Sequence, residues 1–191
     1  MVGHESLHKE AGILHRDISL NNVLVNEDNS TWPGFLIDLD LAIKEKRLKI
    51  SGALDKTGTK VFMAIGALSG ELHSFMHDLE SFFWVLFWVC IHYDGPNEQP
   101  KVVSEFENWN FMTTGELAKM KSGTIDDEAR FMETMLTNVT PYFQPLIPWL
   151  EELRMVVFPN DKKWKVEDED LYERMREVLR KAMTDPEVQA G

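Results

Sequence analysis

Apolar residues are most concentrated over residues 75–92, a stretch that contains neither glycine nor proline. Within it, residues 82–91 are apolar without interruption, so a helix here would be apolar on every side. Such a helix is stable only when other elements bury it. The pattern therefore predicts a long, buried central helix over about residues 75–92, with the aromatic residues of this stretch in the core.

Shorter patterns precede this helix. Residues 23–25 and 35–37 are short apolar runs separated by residues of turn composition, which predicts a hairpin whose second strand is buried. Residues 41–60 are charged and rich in turn-forming residues, which predicts an exposed, mobile loop. At the start of the chain, a helix over residues 4–10 would end at Gly12 in a left-handed conformation.

The chain beyond Tyr93 is predicted to be almost entirely helical. Apolar spacing and helix-end signals predict further helices over residues 116–121, 126–138, 144–158 and 168–183. Prolines 145 and 148 suit the first turn of the helix over 144–158 or a kink near it. The fold class is therefore α+β, mainly α, with short β-hairpins and a buried central helix.

Composition narrows the functional classes. The formal net charge of −12 argues against nucleic acid, whose phosphates require a basic face. The longest apolar run has ten residues, about half the length that a bilayer crossing needs. The single cysteine, Cys90, lies in the most apolar stretch and is expected to be a buried, inert thiol. We therefore expect an intracellular, soluble protein with neither a nucleic-acid nor a membrane partner.

Three polar residues lie at spacings that indicate chemistry. Asp17, a candidate base, follows His15-Arg16; Asn22, a neutral oxygen ligand, comes five positions later; and Asp38 ends an apolar run. The order fits the pattern H-R-D-x-x-x-x-N with a further acid, from which protein kinases build a catalytic loop and a magnesium site. The spacing therefore predicts a phosphoryl-transfer site.

The chain resembles the C-terminal lobe of a eukaryotic protein kinase, in particular that of the fungal-type protein kinase family. The matching runs are Gly3-His4, Gly12-Ile13-Leu14-His15-Arg16-Asp17-Ile18-Ser19, Asn22-Val23-Leu24, Leu36-Ile37-Asp38-Leu39-Asp40-Leu41-Ala42, Gly58-Thr59 with Phe62-Met63, and His77-Asp78-Leu79-Glu80-Ser81-Phe82-Phe83. The resemblance implies a kinase C-lobe over residues 1–160, with a catalytic loop (14–22), an activation segment (38–66) and the central helix. A C-terminal helix and tail would follow over residues 161–191.

The resemblance also implies roles for individual residues in the transfer of the γ-phosphate of ATP to a protein serine or threonine. Asp17 would accept the proton of the substrate hydroxyl, while Asn22 and Asp38 would hold Mg²⁺ between the phosphates. Arg16 would pair with a phosphate or an acid of the activation segment. Thr59 would hydrogen-bond near Asp17 and shape the peptide site.

Further roles concern support and regulation of the site. Asp78 would tie the catalytic loop to the central helix by accepting hydrogen bonds from backbone donors, with His15 as a second structural support. Thr57, in the activation segment, is a candidate for phosphorylation. The pairs His4/His8 and His73/His77 are each spaced by one helical turn but lack the further ligands of known metal motifs. A solvated helix face is the favoured interpretation for the first pair.

The sequence departs from the family pattern in several places. Ser19 stands where serine/threonine kinases usually have a lysine on the γ-phosphate, and Asp40 stands where many have glycine. Gly66 replaces the glutamate that closes the activation segment, so the anchor of that segment is in question. No Gly-x-Gly-x-x-Gly occurs in the sequence, and we expect that the N-lobe, with its lysine and helix glutamate, is not contained in these residues.

Alternative functions therefore stay open. The isolated chain is expected to be a truncated and inactive kinase lobe, whose N-lobe would come from a separate chain or a missing segment. A non-catalytic, pseudokinase-like interaction module is the alternative from another class. A small-molecule phosphotransferase is a third candidate, since related folds use a similar Asp and Asn loop, but the Gly58-Thr59 run favours a protein kinase.

Overall fold

A computed structural model describes residues 1–26, 34–51, 58–96 and 98–190 of the chain. The chain divides into two compact units, Met1–Val85 and Leu86–Gly191. None of the helices in the described ranges is long and apolar enough to cross a membrane.

The described elements are helices and short strands. The helices are α1 (Val2–Ala11), α2 (Glu45–Ser51), α3 (Ile65–Leu68), α4 (Phe75–His92), α5 (Ser104–Glu107), α6 (Thr114–Ile125), α7 (Glu128–Asn138), α8 (Ile147–Val157), α9 (Leu171–Thr184) and α10 (Pro186–Gln189). The strands are β1 (Ile13–Leu14), β2 (Val23–Val25), β3 (Gly34–Leu36) and β4 (Ile43–Lys44). The predicted class, α+β and mainly α, is confirmed.

The first unit begins with α1, which ends where it was predicted to end. Gly12 has φ 63°, and its N–H donates to the carbonyls of the last turn, as expected for a left-handed helix end. The chain then enters β1, which pairs antiparallel with β4 so that Ile13 lies opposite Lys44. In the predicted hairpin, β2 pairs antiparallel with β3, with Val23 opposite Leu36.

The prediction that residues 35–37 form a buried strand is wrong. Phe35 is 45% exposed and Ile37 is 39% exposed, and Leu24, which lies opposite Phe35 in the sheet, is 36% exposed. Among the described residues this sheet has only the two strands β2 and β3, so a face of apolar side chains is left uncovered. Apolar character alone cannot distinguish a strand buried on both faces from one that lacks a covering element.

The prediction of a continuous loop over residues 41–60 is also wrong for residues 43–51, which form β4 and α2. Glu45, Lys46, Arg47 and Leu48 are good helix formers, and Leu48 is only 1% exposed. One buried leucine therefore fixes a short helix within a strongly charged segment. Residues 52–57 of the predicted loop lie outside the described residues.

The predicted central helix is confirmed with both of its bounds, since α4 runs from Phe75 to His92. Most of its aromatic side chains are buried, including Phe83, Trp84 and Phe87. The helix continues from the first compact unit into the second, whose boundary lies between Val85 and Leu86. Cys90 is buried as predicted, and burial raises the pKa of its thiol to about 12.

The second unit contains aromatic packing around the end of α4. The ring of Phe87 stacks on Trp109 at 5.9 Å and meets Phe106 edge-on at 5.4 Å. Thr113 and Glu116 form a capping box at the start of α6, which explains why this helix begins earlier than predicted.

The remaining helices differ from prediction mainly at their ends. The region predicted as one helix over 144–158 is a 3₁₀ turn, Pro141–Leu146, followed by α8. Pro145 lacks the N–H that a continuous α-helix requires, whereas Pro148 is tolerated in the first turn of α8. The predicted helices over 126–138 and 168–183 begin two and three residues later, as α7 and α9.

Candidate functional site

The candidate catalytic loop connects β1 to β2 within the first unit. It leaves β1 at His15 and ends in a 3₁₀ turn, Leu20–Asn22, in which Asn22 N donates to Ser19 O at 3.1 Å. His15, Arg16 and Asn22 are buried, and Asp17 is half-buried. The loop therefore holds the predicted polar residues against the core and leaves the Asp17 carboxylate partly accessible.

Asp17 is the centre of a hydrogen-bond network that joins distant parts of the sequence. Its Oδ1 accepts hydrogen bonds from Thr59 N at 2.8 Å and from Thr59 Oγ1 at 3.0 Å. Its Oδ2 accepts one from Asn22 Nδ2 at 3.1 Å, and the same nitrogen donates to the carbonyl of Asp17 at 2.9 Å. The structure thus brings Asp17, Asn22 and Thr59 together and fixes the orientation of the Asp17 carboxylate.

Gly58 permits the approach of the Thr59 segment. Its φ is +104°, and a Cβ atom built on it would lie 2.5 Å from the carbonyl oxygen of Arg16. A side chain at this position would therefore collide with the backbone of the catalytic loop. Thr57, the candidate phosphorylation site, lies outside the described residues.

Asp38 is held beside the catalytic loop by the residue before it. Ile37 N donates to Asn22 O at 3.0 Å, and Ile37 O accepts from His15 Nε2 at 3.1 Å. His15 Nδ1 lies 3.4 Å from Asp17 N and is the acceptor of that contact, which assigns the ring proton to Nε2. His15 thus connects the residue before Asp38 to the backbone of Asp17. The Asp38 side chain itself is exposed, and its Oδ1 accepts from Asp40 N at 3.2 Å.

Backbone strain occurs at two residues of this region. Arg16 has φ 69° and Asp38 has φ 62°, a region that residues other than glycine rarely occupy. Such conformations persist where surrounding contacts determine them, and they are concentrated at functional sites. For Arg16 these contacts come from Asp78, which accepts the Arg16 N–H at 3.0 Å.

Asp78, at the start of α4, is a fully buried acceptor for several elements. Its carboxylate accepts hydrogen bonds from the backbone N–H groups of His15 at 2.8 Å and Arg16 at 3.0 Å. The Nε2 atoms of His4 and His73 each lie 2.8 Å from it. Burial alone would raise the pKa of the Asp78 carboxyl, but the charge of His73 and the hydrogen bonds from His4 and His73 hold it well below its ordinary value.

The histidines take roles that their spacing did not reveal. His4 was predicted to lie on a solvated helix face, but it is completely buried against Asp78. Its partner is 74 residues away, and helical spacing carries no information about such a contact. Within the described residues, no group of three or more His, Cys, Asp or Glu side chains is placed to hold a metal ion.

The donor set of Asn22 and Asp38 fits Mg²⁺. Asn22 Nδ2 donates to Asp17, so Oδ1 is the atom of this side chain that can coordinate a cation. The exposed Asp38 carboxylate supplies a charged oxygen beside the same loop. Mg²⁺ prefers hard oxygen ligands and usually takes only one or two carboxylates from a protein.

Glu80 is a buried acid that the sequence reasoning did not single out. Its side chain is completely buried, and Oε1 accepts hydrogen bonds from Ile65 N at 2.7 Å and Trp84 Nε1 at 3.0 Å. It therefore binds the start of α3 to α4, close to Gly66, where the family glutamate is absent. At Gly66 a Cβ atom would lie 2.5 Å from both Glu71 Oε2 and His77 Nε2.

Comparison with known proteins finds a similarity over the first 90 residues of the chain. Residues 1–90 match the family model described as fungal protein kinase, which confirms the predicted resemblance over this range. A search of the curated proteins found no match.

Proposed function

We propose, from the similarity of residues 1–90 to fungal protein kinases, that this range forms the catalytic lobe of a protein serine/threonine kinase. The reaction would transfer the γ-phosphate of ATP to a protein hydroxyl. The observation that carries the proposal is the geometry of Asp17, whose two carboxylate oxygens are held by Asn22 and Thr59. The 191-residue chain would perform this reaction only with other residues that supply a glycine-rich loop and its lysine.

Asp17 acts in this proposal as the acceptor of the substrate proton. Thr59 and Asn22 hold the carboxylate in one orientation, so a serine or threonine hydroxyl can meet the same oxygen atoms each time. Catalysis of phosphoryl transfer depends mainly on positioning and electrostatic stabilisation. A carboxylate with a fixed orientation meets the first of these requirements.

Asn22 and Asp38 are the residues that would hold Mg²⁺. Bound there, Mg²⁺ would neutralise charge on the phosphates of ATP. The chain contributes by fixing Asp38 next to Asn22 through the hydrogen bonds of Ile37 to Asn22 O and His15 Nε2. Asp38 itself has a positive φ of 62°.

Supporting roles follow for three further residues. Asp78 and His15 keep the catalytic loop in place, Asp78 through the backbone N–H groups of residues 15 and 16 and His15 through Ile37. Arg16 would pair with a phosphate or an acid in the activation segment, and Thr57 is a candidate to carry that phosphate. The Ser19 hydroxyl is neutral, so it brings no positive charge to the γ-phosphate, where a lysine would.

The test is a titration of Mg·ATP into the purified chain. Calorimetry measures the binding, and NMR records which backbone amide signals shift. We expect weak binding that requires both Mg²⁺ and nucleotide and that shifts the amides of Asn22 and Asp38. Asp38→Asn should abolish this binding, because asparagine tolerates a positive φ but lacks the charge. Asp40→Asn is the matched control, since it removes one charge two residues away, and it should retain binding.

Two results would contradict the proposal. If the folded chain does not bind Mg·ATP, residues 1–90 do not form a nucleotide site by themselves. If Asp38→Asn and Asp40→Asn weaken Mg·ATP binding equally, Asp38 is not the specific metal ligand. In a transfer assay with labelled ATP, the chain alone should be inactive because its sequence contains no Gly-x-Gly-x-x-Gly loop. Robust transfer that is lost in Asp17→Ala would show that no additional lobe is needed.

A non-catalytic interaction module is the second candidate function, and the exposed apolar side chains favour it. Leu24, Val25, Phe35, Ile37 and Leu39 are between 36% and 76% exposed in the first unit. Leu24 and Phe35 lie opposite each other in the β2–β3 pair, and larger exposed apolar patches mark protein interaction sites. Absence of nucleotide binding in the titration would favour this candidate.

A further inference from the structure

A small group of exposed cations lies on β4 and α2, between Asp38 and Thr59 in sequence. Lys44, at the end of β4, and Lys46 and Arg47, in the first turn of α2, are all exposed. We call these residues the basic cluster. Its presence is unexpected because the chain as a whole has a formal net charge of −12.

The packing of α2 explains why these side chains point to solvent. Leu48 is buried, and Glu45 is held by α1, with its Oε2 3.4 Å from His8 Nε2 and its N–H donating to Gly12 O at 2.8 Å. Positions 45 and 48 lie on one side of a helix because they are three residues apart. Lys46 and Arg47 therefore lie on the other side.

The described part of the chain does not neutralise the basic cluster. In the ranges that the structure describes, no carboxylate forms an ion pair with Lys44, Lys46 or Arg47, whereas Lys9, Lys101 and Arg130 each have an acidic partner. The acid between these cations in sequence, Glu45, faces His8 instead. The described residues thus leave the positive charge of the cluster available to an external anion.

The basic cluster is attached to the catalytic loop. Lys44 lies opposite Ile13 in the β1–β4 pair, and β1 leads directly into residues 15–17. In sequence, β4 and α2 lie between Asp38 and Thr59, the two residues that flank Asp17 and Asn22 in the site. Because β1 and β4 are antiparallel, Lys44 and α2 extend from β1 towards Gly12 and α1, so a peptide whose hydroxyl reaches Asp17 would meet these cations through residues several positions from that hydroxyl.

We propose that the basic cluster binds an acidic segment of the protein substrate and so selects serines or threonines with acidic neighbours. This inference rests on the proposed kinase function. An extended polyanion such as nucleic acid, or an anionic membrane, is disfavoured because the rest of this acidic chain would repel it. A short acidic peptide needs to contact only the cluster.

The test measures binding by fluorescence anisotropy of a labelled peptide in which glutamates flank a serine. A peptide with glutamine in place of each glutamate measures the charge dependence. The variant combines Lys44→Gln, Lys46→Gln and Arg47→Gln. The matched control combines Lys119→Gln, Lys162→Gln and Lys165→Gln, which removes the same charge from three other exposed lysines.

We expect the glutamate peptide to bind more tightly than the glutamine peptide and to bind about tenfold more weakly to the cluster variant. The control variant should bind within about twofold of the unchanged chain. Equal affinity for both peptides, or equal weakening in both variants, would overturn the proposal. Displacement of the peptide by an oligonucleotide or by anionic vesicles at lower concentration would reassign the cluster to that ligand.

The cluster variant and Asp38→Asn together distinguish a failure of this inference from a failure of the proposed function. The cluster variant should bind Mg·ATP as the unchanged chain does, and Asp38→Asn should still bind the acidic peptide. Loss of nucleotide binding alone would contradict the kinase assignment and leave peptide binding as an observed property. Absence of peptide selectivity with intact nucleotide binding would contradict only the role of the cluster.

Discussion

His77 is a buried histidine whose ring accepts a hydrogen bond at the start of α4. Its Nδ1 accepts from Ser74 N at 3.0 Å, which leaves the ring proton on Nε2. This reproduces one half of a capping box, because a side chain in the first turn binds the N–H of the residue before the helix. Burial, and secondly the charge of His73, lower the pKa of His77 to about 3, although Asp78 opposes the shift.

The pKa of His77 predicts a dependence of stability on acid. Below pH 6.5 the unfolded chain binds a proton at this histidine and the folded chain does not, so its stability contribution is present above pH 6.5 and is lost as pH falls towards 3. The loss is about 1.4 kcal/mol per pH unit. His77→Asn keeps an acceptor for Ser74 N but does not titrate. Urea unfolding at pH 7 and pH 5 should show that this variant loses about 2 kcal/mol less than the unchanged chain.

The neighbouring Asp78 carboxyl does not obscure this pH interval. The pKa of Asp78 is depressed in the folded chain, so its contribution is complete above the unfolded value of about 4 and is lost only as pH falls below it. An equal loss of stability in His77→Asn and the unchanged chain between pH 7 and pH 5 would show that His77 does not titrate as described.

The residues of the candidate site could be identified from sequence to the extent that their spacing is local. Asp17 and Asn22 are five residues apart, and the family pattern pointed to both. The partners that orient them are remote: Thr59 lies 42 residues from Asp17, and His4 lies 74 residues from Asp78. A single sequence contains no signal for such contacts, which is why the buried position of His4 was missed.

At the scale of elements, the attachment of α3 to α4 depends on Glu80. The first N–H of a helix has no partner within the helix, and Ala64 before α3 has no side chain that could accept from it. Glu80 Oε1 accepts this hydrogen bond from Ile65 and a second one from Trp84 Nε1. A buried carboxylate of α4 therefore caps α3 at the point where the kinase pattern loses its own glutamate.

Removing this acceptor should destabilise the first unit. Glu80→Ala leaves the donors of Ile65 and Trp84 buried without a partner, and we expect the free energy of unfolding to fall by about 3 kcal/mol. Glu80→Gln is the matched control, because its Oε1 can accept the same hydrogen bonds, and it should recover at least about half of the loss. Urea unfolding measures both variants, and hydrogen exchange at the Ile65 amide should accelerate in Glu80→Ala. A loss below about 1 kcal/mol would exclude Glu80 as the anchor.

Elements were predictable where one strong pattern determined them. The bounds of α4 follow from an uninterrupted apolar stretch with polar and turn-forming residues on either side. β4 and α2 were missed because each depends on a few residues: the pairing of Ile43 and Lys44 with β1, and the burial of Leu48. The charged composition of residues 41–60 predicted a loop, and neither contact can be recognised from composition.

At the scale of the whole molecule, the two compact units share the helix α4. Its residues up to Val85 contribute to the first unit, and those from Leu86 contribute to the second. The predicted division into a lobe over residues 1–160 and a C-terminal segment over 161–191 stays a prediction. A continuous helix that supplies buried side chains to both units cannot unfold in one of them without losing hydrogen bonds and packing at its midpoint.

The shared helix therefore predicts a single unfolding transition, which buried thiols can report. Cys90 is completely buried in the second unit and its pKa is raised to about 12, so it should react with a thiol reagent only after α4 opens. In a Cys90→Ala background, Ser81→Cys places a similar probe in the first unit, since Ser81 is 6% exposed. We expect both thiols to become reactive at the same urea concentration at which helical circular dichroism is lost. If Cys90 reacts at a clearly different urea concentration from the probe at position 81, the units unfold separately and α4 does not couple them.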